Sequence, residues 1–260
     1  MMNNGYEISL NVVAIDNKDM QWDLGFNLSH NYSKITKLTL NDSSGSDYVG
    51  VSTGGISGGT GNTVQMHSVG HAPSTFYLYK QLYFDDGTPI EGAFADLNGD
   101  GVINEKDRYF VHTPEPDVVM GFNTNLTWKN WTLATSLRAN IGNYVYNNVY
   151  SDLGNYSQVL NPNSFLMNTV NDIKNTKFYN RNLLSDYYLS NASFLKMDYV
   201  NIGYNFGRIG NFMDLGITFS VQNVFTITNY KGVEPEIAGG IDGNFYPNPR
   251  TFSLGLNLNF

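Results

Sequence analysis

The sequence predicts an all-β protein in which about seven antiparallel strands form one portion of a transmembrane β-barrel. Apolar and polar residues alternate with period two along each candidate strand, which is typical of strands with two unlike faces. Each segment is close to the ~9–11 residues that a tilted strand needs to cross a bilayer. Short turns alternate with very long connections, which places all the short turns at one end of the sheet.

Seven segments carry the alternation. In chain order they are Tyr6–Ala14, Trp22–Leu28, Val118–Trp128, Trp131–Ile141, Ser193–Phe206, Leu215–Val221 and Phe252–Phe260. Short turns at Asn17–Asp19, Lys129–Asn130 and Gly207–Asn211 join the first six segments into three hairpins. The connections over residues 40–117, 143–192 and 226–249 greatly exceed the ~4–6 residues usual in compact domains. In an outer-membrane barrel such connections are extracellular loops, and the short turns are periplasmic.

The fifth segment changes phase along its length. Leu195, Met197 and Tyr199 are its first apolar set, and a second set begins at Val200. This shift predicts a β-bulge near Tyr199. Aromatic residues close to the short turns are consistent with one interfacial girdle, and they are Trp22, Trp128, Trp131, Phe206, Phe212 and Phe260.

Composition excludes several classes of protein. Charged residues make up 15% of the chain and aromatic residues 14%, which argues against disorder and coiled coils. With 15 Lys and Arg against 23 Asp and Glu, no basic patch is available for nucleic acid. The absence of Cys excludes disulfide scaffolds, thiol nucleophiles and Cys-ligated zinc. Residues 1–5 lack the features of a signal peptide, so the chain is predicted to lack its natural start.

Residues 96–107 match the spacing of a calcium-binding loop and are predicted to form an insertion in an extracellular loop. Oxygen ligands are expected from the side chains at positions 1, 3, 5 and 12 and from the backbone carbonyl at position 7, after a glycine at position 6. The corresponding residues are Asp96, Asn98, Asp100, Asp107, Val102 and Gly101. Asp107 replaces the usual bidentate Glu. A metal-free loop held by Asx turns is the alternative.

Signals of enzymatic activity are weak, and the protein is predicted not to be an enzyme. Gly55–Gly59 satisfies the G-x-S-x-G pattern, but it lies in a Ser- and Gly-rich stretch that favours a flexible loop. His67 and His71 are four residues apart without the helix that would align them as metal ligands. Glu234 and Glu236 are interpreted as solvated loop charges.

The polar face of the strands is the better candidate for function, because it would line the lumen of a barrel. Its hydrogen-bonding side chains are Arg138, Asn140, Lys196, Asp198, Asn201, Gln222, Asn223 and Asn257. These residues could bind a polar solute, or they could contact an internal plug or water. Seven strands cannot close a wide barrel, and an open edge in lipid would leave backbone groups unpaired, so further strands must come from elsewhere.

Several motifs, in this order, resemble the C-terminal part of SusC/RagA-type TonB-dependent transporters, which are outer-membrane components of Bacteroidetes nutrient-uptake systems. The resemblance spans nearly the whole chain. Its anchors are Trp22–Leu24, residues 96–108 with Pro116 and Gly121, Gly142–Asn147, Ser193–Met197, Gln222–Phe225, Tyr230–Glu236, and Tyr246–Pro247 with Pro249–Thr251. Glu234 stands where the family usually has Asp, and Phe194 where Tyr is common.

This resemblance implies a plugged barrel of about 22 strands, of which the chain supplies roughly the last third. It also implies a SusD-like surface lipoprotein as partner, import of glycans or peptides, and energy from the TonB complex acting through N-terminal parts without counterpart in this chain. The expected location is the bacterial outer membrane, in contact with lipid and with the remaining barrel and plug segments. A passive porin-like channel and a secreted β-sandwich binding or adhesion module are the alternatives.

Overall fold

The computed structural model describes residues 1–38, 49–159, 168–210 and 212–260. These residues form sixteen β-strands between a few short helices. In chain order the strands are β1 Met2–Asp16, β2 Met20–Lys34, β3 Val51–Gly55, β4 Thr63–His67, β5 Thr75–Tyr79, β6 Gln81–Tyr83, β7 Pro89–Phe94, β8 Arg108–Val111, β9 Val118–Trp128, β10 Trp131–Ile141, β11 Tyr144–Asn147, β12 Leu189–Asn191, β13 Phe194–Ile209, β14 Met213–Thr228, β15 Ile241–Asp242 and β16 Thr251–Asn259.

The helices of the described residues are all short. They are α1 Asn148–Leu153, α2 Tyr156–Val159 and α3 Ile173–Thr176, with 3-10 turns at Glu105–Asp107, Asp186–Tyr188 and Ala238–Gly240. None of them has the length and apolar character needed to cross a membrane.

The seven long strands form one antiparallel sheet in the order β1-β2-β9-β10-β13-β14-β16. All seven correspond to the segments expected from the alternation of apolar and polar residues, so the predicted fold class is confirmed. The long strands lie in a single sheet and not in two sheets packed face to face. The β-sandwich alternative therefore does not describe this fold.

The two faces of this sheet differ as the sequence pattern indicates. Directly paired residues share a face, and Ile202 is paired with both Leu133 and Phe219 on the apolar side. Large apolar side chains on this side are exposed, and Leu254 in β16 has 73% of its surface accessible. We call this side the apolar face. The opposite side, the polar face, carries a row that includes Gly121, Arg138 and Lys196.

The predicted bulge is present, and it lies at Asp198. Against β10, Ser136 pairs with Tyr199 and Leu137 pairs with Met197, so Asp198 is the extra residue of β13. The bulge keeps the apolar residues before and after it on one face. Tyr199, which the sequence pattern placed in the apolar set, is shifted by the bulge onto the polar face.

Two of the three predicted turns are confirmed, and the third is shorter than expected. The first two hairpins turn at residues 17–19 and 129–130, and Lys129 adopts a φ of +52° there. In the third hairpin β13 continues to Ile209 and β14 begins at Met213, so Gly207 lies inside a strand. Asn211 lies outside the described residues.

The three long connections all leave from the other end of the sheet, as predicted, and they are structured. Their described residues form a four-stranded sheet β3-β4-β5-β8, a three-stranded sheet β12-β11-β15 and the hairpin β6-β7. We call these strands, with the helices and turns between them, the loop body. Its apolar core was not recognised in the sequence, and it consists of Val64, Phe76, Leu78, Tyr146, Phe178 and Tyr188.

Two consecutive glycines of the loop body provide a matched test of its packing. Gly239 and Gly240 have φ values of +76° and +72°, so alanine at either position is strained by ~1–2 kcal/mol. A Cβ atom on Gly240 would lie 2.4 Å from Cβ of Pro114 and 3.1 Å from Cζ of Phe76, whereas a Cβ on Gly239 meets nothing within 4 Å.

We therefore expect Gly240→Ala to destabilise the loop body by ~1–3 kcal/mol more than Gly239→Ala does. Thermal unfolding of the two variants of the protein, followed by hydrogen exchange of loop-body peptides, measures the difference. Equal losses of stability in both variants would show that the close packing around Gly240 does not stabilise the loop body.

Candidate functional site

One cavity of about 500 Å3 on the polar face contains most of the predicted luminal residues. Six of the eight line it, namely Arg138, Lys196, Asp198, Asn201, Gln222 and Asn223. Tyr199, Asn248, Pro249 and Thr251 complete the lining. Of the other two, Asn140 pairs with Phe194 further along β10 and does not line the cavity. Asn257 lies in a separate depression towards the short-turn end.

Strand register and the bulge together create the charged wall of this cavity. Arg138 in β10 lies directly opposite Lys196 in β13, so two cations are neighbours on the polar face. The bulged Asp198 turns its carboxylate towards Arg138, whose Nε lies 2.9 Å from both carboxylate oxygens. The bulge thus places a counter-charge beside a cation that regular pairing would leave next to another cation.

The second group of counter-charges comes from the connection that follows β14. Glu236 accepts hydrogen bonds from both terminal nitrogens of Arg138, one of them at 2.8 Å from Nη2 to Oε2. It also accepts from Nζ of Lys196 at 3.2 Å, and Glu234 accepts from the same Nζ at 2.7 Å. The interpretation of Glu234 and Glu236 as solvated loop charges is therefore wrong, because both are ion-paired with strand residues.

Lys196 is the most enclosed member of this group. Only 4% of its side-chain surface is exposed, and its ammonium lies 5.6 Å from the ring centroid of the buried Phe194. Burial of an unpaired ammonium would cost several kcal/mol, so the two glutamates are required by the position of this lysine. We call Arg138, Lys196, Asp198, Glu234 and Glu236 the charge cluster.

The titration of Glu236 reflects this environment. Burial raises the pKa of its carboxyl, but hydrogen bonds from Arg138 and Lys196 outweigh burial and hold the pKa below its usual range. Glu236 is therefore ionised at neutral pH.

Amide side chains continue the lining from the charge cluster into the cavity. Nδ2 of Asn248 donates to Oε2 of Glu234 at 3.2 Å, and Nδ2 of Asn223 donates to the carbonyl of Asn248 at 2.7 Å. Arg250 does not line the cavity, and its Nε donates to the carbonyl of Asn223 at 3.2 Å. These bonds hold the segment before β16 against the polar face.

The sequence indicated that Arg138 and Lys196 need carboxylate partners, although not which acids supply them. Arg138 and Lys196 both point inward on a face rich in amides and glycines, and buried cations require nearby carboxylates. Asp198 alone could not neutralise both, so acids from a neighbouring connection were needed. Tyr199 and Asn248 gave no comparable signal, because the bulge and the path of the connection decide their positions. Thr251 follows the alternation of β16 and pairs with Gln222 on the polar face.

The predicted calcium loop, residues 96–107, is held by hydrogen bonds between its own side chains and backbone. The carboxylate of Asp96 accepts from the amides of Gly99 and Gly101, and Asn98 accepts from the amide of Asp100. Asp100 in turn accepts from the amide of Val102 at 2.9 Å. These oxygens are of the type calcium prefers. Among the described residues, no three His, Cys, Asp or Glu side chains lie close enough together to share an ion.

Asp107 closes this loop from a fully buried position. One of its oxygens accepts from the amides of Leu97 and Asn98, and the other accepts from the amide of Asn104. The amide of Asn104 makes the largest contribution to lowering the pKa of this carboxyl, and the amides of Asn98 and Leu97 lower it further.

Acid is therefore expected to open the loop. A depressed carboxyl pKa contributes stability that is complete above the ordinary aspartate value of about 3.9, and this contribution is lost as the pH falls through the lower folded value. Hydrogen exchange of Leu97 and Asn104 should accelerate in that range, and Asp107→Asn should accelerate it already at pH 7. Asp85→Asn, in an exposed turn, is the control and should change neither rate.

The weaker sequence motifs are distributed through the loop body. The backbone amide and carbonyl of Ser57, in the G-x-S-x-G pattern, each form a hydrogen bond with the side chain of Asn148. These bonds hold the segment in place, so it is not the flexible loop that the sequence predicted. The part of the Ser- and Gly-rich stretch up to residue 48 lies outside the described residues. His67 accepts from the amide of Ser74, and His71 stacks on Phe110.

Comparison with known sequences shows a match along nearly the whole chain, although no family model matches it. The TonB-dependent receptor SusC of Bacteroides thetaiotaomicron is 39% identical over 265 residues, which cover 99% of this chain and 26% of that protein. The TonB-dependent receptor P3 of Formosa agariphila is 30% identical over 299 residues, covering 99% of this chain and 28% of that receptor.

Solved structures show the same fold. The RagAB peptide transporter superposes on 99% of this chain and 29% of its own, with a TM-score of 0.72 and 22% sequence identity. The RagAB peptide importer in its open-open state gives a TM-score of 0.70 at 21% identity. By this agreement of sequence and fold, the chain corresponds to a part of a SusC/RagA-type TonB-dependent receptor, and it spans about a quarter of the length of the relatives it matches.

Proposed function

We propose that this chain forms part of the barrel wall and the extracellular loops of a TonB-dependent transporter that imports glycans or peptides across the bacterial outer membrane. Residues 1–260 would be a C-terminal portion of that barrel. The observation that carries the proposal is the 39% identity to SusC over 99% of the chain. We expect transport without covalent chemistry, because the named relatives are receptors and transporters.

The exposure of the apolar face supports a position in lipid. Its aliphatic and aromatic side chains have no facing layer among the described residues, and Trp128, Trp131 and Phe212 are about half exposed or more near the short turns. Lipid would cover this face, with the aromatic residues at one interface. Among the described residues, the outer strands β1 and β16 each pair on one side only, and in a closed barrel further strands would pair with them.

The cavity on the polar face supports a role in solute passage. It lies towards the end of the strands from which the long connections leave, which would be the extracellular mouth of the barrel. Hydroxyl or amide groups of a solute could bond to Asn201, Gln222 and Asn223 there. The loop body above it is the surface on which we propose that a SusD-like lipoprotein sits. Coupling to the TonB complex would use parts of the receptor outside this chain.

Intact mass and N-terminal sequence of the native polypeptide in the detergent-extracted outer membrane test the barrel proposal. We expect a polypeptide several times heavier than 29.1 kDa, with a sequence that continues into a plug. Uptake of labelled glycans and peptides by cells with and without the receptor gene, and with and without the TonB gene, tests transport. Uptake that needs the receptor but not TonB would favour a passive porin-like channel. A soluble chain of 29.1 kDa would overturn the proposal.

We further propose that residues 96–107 bind a calcium ion through Asp96, Asn98, Asp100, the carbonyl of Val102 and Asp107. Their oxygen donors follow calcium-loop spacing. Calorimetric titration of the full-length receptor is expected to show one calcium site that Asp100→Ala removes, whereas Asp85→Ala retains it. Identical titrations of the receptor and the Asp100→Ala variant would instead support a loop held by its Asx turns alone.

A further inference from the structure

The charge cluster has a consequence for selectivity in addition to its structural role. We propose that this wall of the lumen offers no anchor to an anionic group and instead binds uncharged hydroxyl and amide groups. The inference rests on the proposed function, since it assumes that solutes pass along the polar face. It concerns only the surface that this chain contributes.

The first step is that each cation lining the cavity is already paired. Nε of Arg138 lies 2.9 Å from both oxygens of Asp198, and its terminal nitrogens bond to Glu236. Nζ of Lys196 bonds to Glu234 and Glu236 at 2.7 and 3.2 Å. A carboxylate, sulfate or phosphate group entering the cavity would have to compete with these carboxylates for both cations.

The second step is the balance of charge. The charge cluster contains two cations and three carboxylates, so an entering anion meets an excess negative charge in a partly desolvated site. The side chains of Arg138, Asp198 and Glu236 are each exposed by 34–39%, so an entering solute can reach them. The electrostatic cost falls on anions only.

The third step concerns the uncharged groups of the lining. The rest of the lining consists mainly of amides and hydroxyls, from Tyr199, Asn201, Gln222, Asn223, Asn248 and Thr251. Amides offer both donors and acceptors, so they pair equally well with hydroxyl groups and with peptide groups. This wall of the lumen therefore favours solutes without negative charge, and it does not discriminate between solutes that carry hydroxyl groups and those that carry peptide groups.

The test uses bromide as a probe, because its anomalous scattering locates bound anions without requiring a known solute. Crystals of the full-length receptor would be soaked in sodium bromide. For the unmodified receptor we expect no bromide peak within hydrogen-bond reach of Arg138 or Lys196. In the double variant Asp198→Asn, Glu236→Gln, Arg138 loses both carboxylate partners, and we expect a bromide ion on its guanidinium.

Asp214→Asn is the matched control. Asp214 lines the separate depression near the short turns, so this change removes one negative charge from the polar face and leaves the charge cluster paired. We expect no bromide at the cluster in this variant. A peak at the cluster of the unmodified receptor, or no peak in the double variant, would overturn the inference.

Failure of the selectivity inference can be distinguished from failure of the proposed function. Uptake of neutral labelled oligosaccharides and peptides by cells carrying each variant reports on transport, and it also shows whether the double variant is folded. Absence of uptake with the expected bromide pattern would contradict the transport proposal alone. Normal uptake with bromide at the unmodified cluster would contradict the selectivity inference alone.

Discussion

Replacing Lys196 by methionine is expected to detach the connection between β14 and β16 from the polar face. Methionine retains most of the packing volume but leaves Glu234 and Glu236 without their shared ammonium. Removal of one partner from a buried ion pair costs ~3–5 kcal/mol, and the lower end applies here because Glu236 is about one third exposed. Hydrogen exchange of peptides covering residues 229–250 in the full-length receptor, together with its thermal unfolding, measures the effect.

Two further variants separate the loss of the ion pair from a general loss of packing. Lys231→Met removes an exposed lysine from the same connection, and we expect no change in exchange or unfolding temperature. Adding Glu234→Gln to Lys196→Met removes one unpaired carboxylate and should recover part of the lost stability. If Lys196→Met and Lys231→Met behaved alike, the charge cluster would not be what holds this connection.

Phe76→Ala is expected to unfold most of the loop body while leaving the seven-stranded sheet in place. Phe76 is completely buried in the core that includes Val64, Leu78, Tyr146 and Phe178, and it pairs with Gln65 and Val111 in the four-stranded sheet. A cavity of this kind costs ~3–5 kcal/mol. We expect fast hydrogen exchange throughout residues 63–79 and 144–153, with exchange of β10 and β13 unchanged.

Phe84→Ala provides the comparison, because Phe84 lies in the same loop body with 56% of its surface exposed. Its loss should change stability by no more than ~0.5 kcal/mol. Rapid exchange of β10 and β13 in Phe76→Ala would show that the sheet and the loop body unfold as one unit, contrary to this prediction.

The seven long strands were predictable because their signal is local. β16 illustrates this, since every second residue from Phe252 to Leu258 is apolar and lies on one exposed face. A strand with lipid on one side and a polar lumen on the other must alternate whatever its neighbours are. The bulge at Asp198 was detectable for the same reason, because an extra residue reverses the phase of the alternation within a single strand.

Six of the eight predicted luminal residues line one cavity, because a face assignment follows from the phase of each strand. The partners of Arg138 and Lys196 were not predictable in this way. Glu234 and Glu236 lie 38 and 40 residues after Lys196 along the chain, in a connection without periodic pattern. Only the folded path of that connection brings them to the cluster.

The structure of the loop body, like the ion pairs, was not predictable from the sequence. Its short strands, such as Thr75–Tyr79, are too brief to carry a periodic signal, so its connections appeared to be long loops. Phe76, Tyr146 and Phe178 become a core only when three distant connections meet. A few consecutive residues decide whether a segment forms a strand and which face of the sheet each side chain lies on. Ion pairs and cores depend on contacts between distant segments, which chain order alone does not specify.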